Sequence, residues 1–328
     1  MNNYFPVEYS TLSSQHLLKL VTSLYNVNSS SSICYIKRGF NDTYLITGNK
    51  QLYILRVYKH KWKSIENVEA EVMLLNYLHE NGVNVSHPIA DYQQQFIQII
   101  NAPEGLRYAV MFTFAEGQQI KKLTSEQSFL LGKETGNMHR FTLNKNFGET
   151  AFNYSFETQL NNALTILNPL LANYAEQYEY LLFLKEELLK SWKNCDEKEI
   201  GYGICHGDLQ AENFHITSNN ELAFFDFDFS GNGCLIYDIG VFMWYDHKNK
   251  PKEIIQSFLN GYQTQRTLTK SELQLFPYFS TLRALFQLSL FCNISNGSSL
   301  PLWPIEQAAG FVWKIKKWQE AVKSTTLQ

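Results

Sequence analysis

Residues 204–216 read Ile204-Cys205-His206-Gly207-Asp208-Leu209-Gln210-Ala211-Glu212-Asn213-Phe214-His215-Ile216, the densest polar cluster of the chain. A short apolar run enters His206, a glycine permits a tight turn, and Asp208 and Asn213 follow. Asp226 stands further on, within Leu222-Ala223-Phe224-Phe225-Asp226-Phe227-Asp228. On a strand, a period of two places Phe224, Asp226 and Asp228 on one face. Two carboxylates ~7 Å apart repel by roughly 2–3 kcal/mol at an effective dielectric of about 20, and a bound divalent cation reverses the sign. Oxygen donors of the Asp/Asn kind select Mg2+, usually shared with phosphate oxygens. The same letters also admit a polar turn with incidental acids.

Before this cluster, residues 14–25 carry Leu17, Leu18, Val21 and Leu24 at helical spacing. Strand-like runs follow at 32–37, 43–47 and 51–58, then a helical stripe (Val68, Val72, Leu75, Leu78) over 65–79, and two more extended runs at 89–100 and 108–114. From 125–139 and 154–192 the pattern is mainly long helices, interrupted by short apolar strands at 203–206 and 222–228; helices resume from residue 235. The expected architecture is α+β: a small β-rich lobe, residues 1–115, and a larger mainly helical lobe, residues 116–328. The cleft of such a pair is the natural place for a ligand.

The H-G-D-L-x-x-x-N…D arrangement resembles the catalytic loop and metal aspartate of protein-kinase-like folds. It is more similar still to the aminoglycoside phosphotransferase family, which includes choline kinases and type II homoserine kinases. Asp238-Ile239-Gly240, Gly132-x-x-x-Gly136-x-Met138-His139 and Gly261-Tyr262 extend the resemblance over nearly the whole chain. It implies a protein-kinase-like bilobal fold and a phosphotransferase that uses ATP and Mg2+ on a hydroxyl of a small molecule. Acceptors of the aminoglycoside, homoserine or choline kind all remain open, as does ATP against GTP.

Carried over residue by residue, the resemblance makes Asp208 the catalytic base, accepting or orienting the acceptor hydroxyl. Asn213 and Asp226 hold the metal ions that bridge the nucleotide phosphates. His206 is expected beneath the loop, with Asp238 bracing it. Gly39, Asn41 and Thr43 occupy the place of the glycine-rich flap, although with a single glycine, and an ordinary hairpin turn fits the same letters. Arg56 falls where the family carries a phosphate-contacting lysine, a departure that is not neutral because the guanidinium is a planar fork; Lys59 or Lys61 could substitute. Glu71 is the expected partner of that cation, ahead of Glu69. Adenine is expected at backbone groups of Thr113 and Ala115. Glu212 replaces a usual glycine and either meets a cationic substrate or is solvated. Asp228 is either a second metal ligand or a hydrogen-bond acceptor.

Two rivals share the fold. A bacterial Ser/Thr protein kinase is disfavoured by the lack of an A-P-E element after Asp226, and a non-catalytic nucleotide-binding pseudokinase is given room by Arg56. Trp244, Tyr245 and Asp246 suggest an acceptor pocket only through their closeness to Asp238 in sequence. Trp303, Trp313 and Trp318 read as packing residues. Gly201-x-Gly203 followed by Gly207 lacks the spacing of a dinucleotide fingerprint, no P-loop occurs, and His206, Asp208 and His215 lack a fourth partner for zinc.

Composition closes other classes. The 328 residues are 45% apolar, and Lys+Arg 28 against Asp+Glu 31 gives a net charge of -3. A nucleic-acid binder is not expected from that balance. No apolar run approaches the ~20 residues of a membrane span, and residues 1–6 carry no secretory pattern. Five scattered cysteines, none in a C-x-x-C pair, suggest reduced thiols in a cytoplasmic protein. Oligomeric state is not legible.

Overall fold

The helical and extended periods of the sequence recur, in order, in the computed structural model, which describes residues 5–28, 30–48, 50–245, 251–296 and 305–326. The chain runs α1 (Ser14–Leu24), β1 (Ser32–Arg38), β2 (Asp42–Gly48), β3 (Gln51–Val57), α2 (Ile65–Glu80), β4 (Ile97–Ala102) and β5 (Gly105–Thr113). It continues through α3 (Ser125–Thr142), β6 (Phe152–Tyr154), α4 (Phe156–Leu171), α5 (Ala175–Lys193), β7 (Tyr202–Cys205), β8 (Phe214–Ile216), β9 (Leu222–Phe224) and β10 (Gly231–Cys234). The last elements are α6 (Ile236–Trp244), α7 (Lys252–Gln263), α8 (Lys270–Asn296) and α9 (Ile305–Thr326).

Two compact units emerge: Met1–Ile120 with Phe147–Ala151 and Phe214–Asp228, and Lys121–Asn146 with Phe152–Asn213 and Phe229–Gln328. The first change of unit falls just past residue 115. Beyond it the units interleave along the chain, because the β8–β9 hairpin bridges Val85 through Phe224 and Gln118 through Ile216 and so joins the first unit.

In the first unit an antiparallel sheet is ordered β1-β2-β3-β5-β4. Alternation gives it two unlike faces. Tyr44, Ile46, Leu55, Val57, Ala109 and Met111 pack with Leu17 and Val21 of α1 and with Tyr25 just past it. On the other face Thr43 and Val110 stand directly across from Arg56. Helix α2 opens on a capping box in which the Ser64 hydroxyl accepts the Asn67 N–H and the Asn67 side chain accepts that of Ser64, a device worth about 1 kcal/mol.

The expected strand over 89–100 starts only at Ile97. The Asp91 carboxylate accepts the N–H groups of Gln93 and Gln95, each at 2.8 Å, and Gln94 turns to φ 63°. An Asx-type turn has displaced the first half of the run. The expected strand over 222–228 is likewise cut short at Phe224: Asp226 has φ 63° and Phe227–Phe229 forms a 3-10 turn. Asp226 and Asp228 therefore do not alternate on a strand face.

In the second unit β6, β10 and β7 form a small sheet, parallel between β6 and β10 and antiparallel between β10 and β7. The glycine pattern of the sequence finds its reason in the α3–α7 crossing. A Cβ at Gly132 would fall on the Phe258 carbonyl, and one at Gly261 on that of Phe129. The two helices approach too closely for any side chain there. No helix among the described residues is long and apolar enough to cross a membrane, and all five cysteines carry free thiols.

Candidate active site

In the second unit the loop after β7 is held from beneath by one buried carboxylate. Asp238, on α6, accepts the His206 N–H at 2.7 Å and the Gly207 N–H at 2.8 Å. Its Oδ2 also lies 2.9 Å from His139 Nε2, and His139 Nδ1 lies 2.8 Å from the Tyr262 hydroxyl. Burial pushes the His139 pKa below the ordinary histidine value despite Asp238 pulling the other way. The neutral ring then donates from Nε2 and accepts the Tyr262 hydroxyl at Nδ1. Burial alone would raise Asp238, but His139 and the loop N–H groups hold it below the usual carboxylate value. Gly207 takes φ 81°, where a Cβ would meet the Phe229 carbonyl; only glycine makes this turn without strain. His206 is wholly buried and its Nδ1 accepts the Asp208 N–H at 3.3 Å.

Asp208 is thereby presented with both oxygens engaged. Oδ2 accepts from Asn213 Nδ2 and Gln210 Nε2, each at 2.7 Å. Oδ1 lies 2.6 Å from Arg283 Nη2 on α8 and accepts the Tyr245 hydroxyl at 3.2 Å. The Tyr245 hydroxyl is pushed up to about 12, first by burial and further by Asp208, with Arg283 opposing, so it remains a donor. Asn213 Nδ2 also donates to the Asp208 carbonyl at 2.8 Å. With that nitrogen spent on Asp208, the amide oxygen is the group suited to a cation.

The first unit gathers five charged side chains around β3 and α2. Arg56 Nη1 lies 2.8 Å from Glu71 Oε1, and its Nη2 lies 3.0 Å from Asp226 Oδ1. Glu71, rather than Glu69, is thus the partner of Arg56. Lys63 Nζ lies 2.7 Å from Glu71 Oε2 and 3.2 Å from Asp228 Oδ1. Trp62 Nε1 donates to Asp228 Oδ2 at 2.9 Å. Burial pushes Asp228 up, but Lys63, Arg56 and hydrogen bonds from Trp62 and Asn41 more than reverse it, leaving a buried carboxylate held below its ordinary value. Of the two acids that the sequence left as candidate ligands, Asp228 is locked into this network and Asp226, 35% exposed in its side chain, faces outward.

The remaining candidates fall out as follows. Gly39 and Asn41 close the β1–β2 turn through Gly39 N–H to the Asn41 carbonyl at 3.0 Å. The Asn41 side chain is buried and accepts the Lys59 N–H at 3.2 Å, while Thr43 shares the Arg56 face of the sheet. Thr113 donates its N–H to the His87 carbonyl at 3.0 Å and its own carbonyl accepts the Ser86 hydroxyl. The Ala115 carbonyl lies 2.8 Å from His215 Nδ1. Lys59, Lys61 and Glu212 are exposed. Trp244 is buried, donating to Gln287 at 2.7 Å, and Trp318 donates to Ser280 at 2.9 Å, as packing residues do. Asp246 and Trp303 lie outside the described residues.

Residues 33–274 match the model of the phosphotransferase enzyme family. The chain belongs to that family. This phosphotransferase is 30% identical over 272 residues to an uncharacterised protein of Synechocystis, covering 82% of this chain and 75% of the relative. It is 22% identical over 300 residues to the amicoumacin kinase of Bacillus subtilis, covering 86% of each. To the homoserine kinase of Rhizobium meliloti it is 25% identical over 288 residues, covering 84% of this chain and 83% of the relative. An amicoumacin kinase solved in complex with AMP-PNP, Ca2+ and Ami superposes with a TM-score of 0.72 at 22% identity, over 96% of this chain and 94% of that one. The expected α+β, protein-kinase-like fold is borne out, and so is the resemblance to small-molecule phosphotransferases.

Three residues that touch the candidate side chains within their own units escaped the sequence. Lys63 belongs to a run in which Lys59, Lys61 and Lys63 alternate, and nothing local says which is buried. Arg283 lies 75 positions from Asp208, inside the long helix α8. Tyr245 was visible, but as an acceptor contact rather than as a donor to Asp208. Only tertiary packing identifies the three.

Proposed function

We propose that the protein is an ATP- and Mg2+-dependent phosphotransferase that moves the γ-phosphoryl group to a hydroxyl of a small molecule. The observation that carries this reading is the treatment of Asp208: Gln210 and Asn213 hold one oxygen, Arg283 and Tyr245 the other, on a loop clamped by Asp238. Such over-determination fixes a carboxylate in advance, which is what positioning an alcohol demands. The acceptor hydroxyl takes the place of one of these four donors, and Asp208 accepts its hydrogen bond and takes its proton as the phosphoryl group is transferred.

Asn213 contributes its amide oxygen and Asp226 its carboxylate to the divalent ion. Mg2+ takes few protein ligands and fills its shell with phosphate oxygens and water, so two oxygen donors suffice. When bound, the ion neutralises charge on the phosphates. Arg56 reaches the phosphates while Glu71 holds it in place, and Gly39, Asn41 and Thr43 form the turn over them. Adenine meets the backbone at Thr113 and Ala115; both backbone groups of Thr113 and the Ala115 carbonyl are already paired, so the Ala115 N–H carries the larger share.

The acceptor is a small hydroxylated compound of the homoserine, aminoglycoside or choline kind. The kinase relatives just described support that class by their names. Five free thiols and a dependence on ATP suit the reducing cytoplasm.

The test is ADP release in a coupled assay over aminoglycosides, homoserine, choline and related amino alcohols. The reading expects acceptor-dependent ADP formation that EDTA abolishes. Failure of every acceptor, together with no binding of ATP in a thermal-shift experiment, contradicts it.

A further inference from the structure

The connection from β3 to α2 spans only residues 58–64, yet it touches Glu71, Asp228 and the β1–β2 turn. Lys63 Nζ sits between Glu71 and Asp228 at 2.7 and 3.2 Å, with only 2% of its side chain exposed. Trp62 donates to the other Asp228 oxygen at 2.9 Å, and its indole stacks on Phe40 of the β1–β2 turn, ring centres 4.7 Å apart and 14° from parallel. The Lys59 N–H reaches the Asn41 side chain of the same turn at 3.2 Å.

Charge counting shows what Lys63 does there. Three carboxylates (Glu71, Asp226, Asp228) face two cations (Arg56, Lys63), so one negative charge is left over. Glu71 and Asp228 are 1% and 4% exposed and cannot carry it cheaply. Asp226, at 35%, can. By satisfying Glu71 and Asp228, Lys63 lets Arg56 keep one arm on Asp226. Without Lys63, Arg56 would be drawn towards the two buried acids, and the Asp226 turn would lose its anchor. Burial pulls the Lys63 pKa down, but Glu71 and Asp228 hold it above the ordinary lysine value, so the ammonium stays charged.

We propose that Lys63 and Trp62 are positioning residues of this phosphotransferase: they clamp Asp228, and through it set the Asp226 carboxylate that meets the divalent ion. The inference rests on the reading of Asp226 as a metal ligand. It goes beyond that reading by assigning the metal site's geometry to Lys63 and Trp62, which act through Asp228.

The experiment is ATP binding by calorimetry, in excess Mg2+ and in EDTA, on the wild type, Trp62→Phe and Lys63→Met, with thermal melts of each unliganded protein. Trp62→Phe keeps a ring against Phe40 and removes the donor to Asp228. The expected result is that Mg2+ tightens wild-type binding, and that this gain shrinks about threefold to tenfold in Trp62→Phe and at least about tenfold in Lys63→Met, as loss of hydrogen bonds to a buried carboxylate implies. Affinity in EDTA should stay within about twofold. If Lys63→Met does not fold, Trp62→Phe decides alone. A full Mg2+ gain in Trp62→Phe overturns the proposal, as does equal weakening with and without Mg2+, which marks a merely structural role. A wild type that binds no ATP, or binds it indifferently to Mg2+, defeats the functional reading instead.

Discussion

Arg283 Nη2 lies 2.6 Å from Asp208 Oδ1, with 4% and 11% of the two side chains exposed. The guanidinium also contacts the Tyr245 hydroxyl and, at 3.3 Å, the Gly207 carbonyl. A pair this deeply withdrawn from water is not an economical source of stability, because desolvation offsets most of the attraction. What it supplies is orientation: with Tyr245, Gln210 and Asn213 it holds the Asp208 carboxylate in one position.

Arg283→Met should therefore fail in two separable ways. It leaves a largely buried carboxylate uncompensated, costing about 3–5 kcal/mol of stability, and it lowers turnover by roughly 10²-fold through misplacement of Asp208. Arg283→Lys keeps the charge without the fork and should fall between. Denaturant melts and initial rates read the two effects. A stable Arg283→Met variant with undiminished turnover would show that Asp208 does not depend on this partner.

Arg107 and Asp42 make a second buried pair, 2.8 Å apart and fully withdrawn from water, beside the β1–β2 turn of the first unit. Arg107→Met should cost about 3–5 kcal/mol by stranding Asp42. Adding Asp42→Asn should recover part of that loss, since Glu104, 3.6 Å from Arg107, is then the one carboxylate left without this cation. Additive losses in the double-mutant cycle would mean the two side chains act independently.

The buried His139 gives stability a defined acid limit. Its folded pKa is depressed below the ordinary value of 6.5, so below about that pH the unfolded chain binds a proton that the native protein refuses. Stability from this site is fully present above pH 6.5 and is lost as the pH falls towards the native pKa. His87, lowered by burial and by His79, adds to the loss in the same direction. The thermal midpoint should be flat from pH 8 to 7 and fall from about 6.5 downward. In His139→Gln, which cannot titrate, the fall should be shallower; an identical pH profile would remove His139 as its source.

The parts of this protein legible from its letters are those set by local periodicity and by close spacing. The α1 stripe, the first three strands, α2 and the Asp208 loop all follow from residues within a few positions of one another. The expected strand through Asp226 failed because a non-glycine residue in the left-handed region leaves no mark on hydrophobic alternation. Asp228 divides from Asp226 for the same reason: once the strand ends, the two acids no longer share a face. Lys63 and Arg283 could not be found at all, since a buried cation is defined by acids brought to it from other elements. The glycines of α3 and α7 were legible as a pattern, and became explicable only when the helices were seen to touch.

The central claim is that Asp208, Asn213 and Asp226 serve transfer of a phosphoryl group from ATP to a small alcohol. Its most direct test follows γ-labelled ATP, with Mg2+ and the best acceptor of the screen, in wild type, Asp208→Asn and Asp226→Ala proteins confirmed to be folded. The account predicts label in a low-molecular-weight product, a rate ~10²–10⁴-fold lower in Asp208→Asn, and no stimulation by Mg2+ in Asp226→Ala. Label accumulating on the protein, or wild-type transfer by Asp208→Asn, would contradict it.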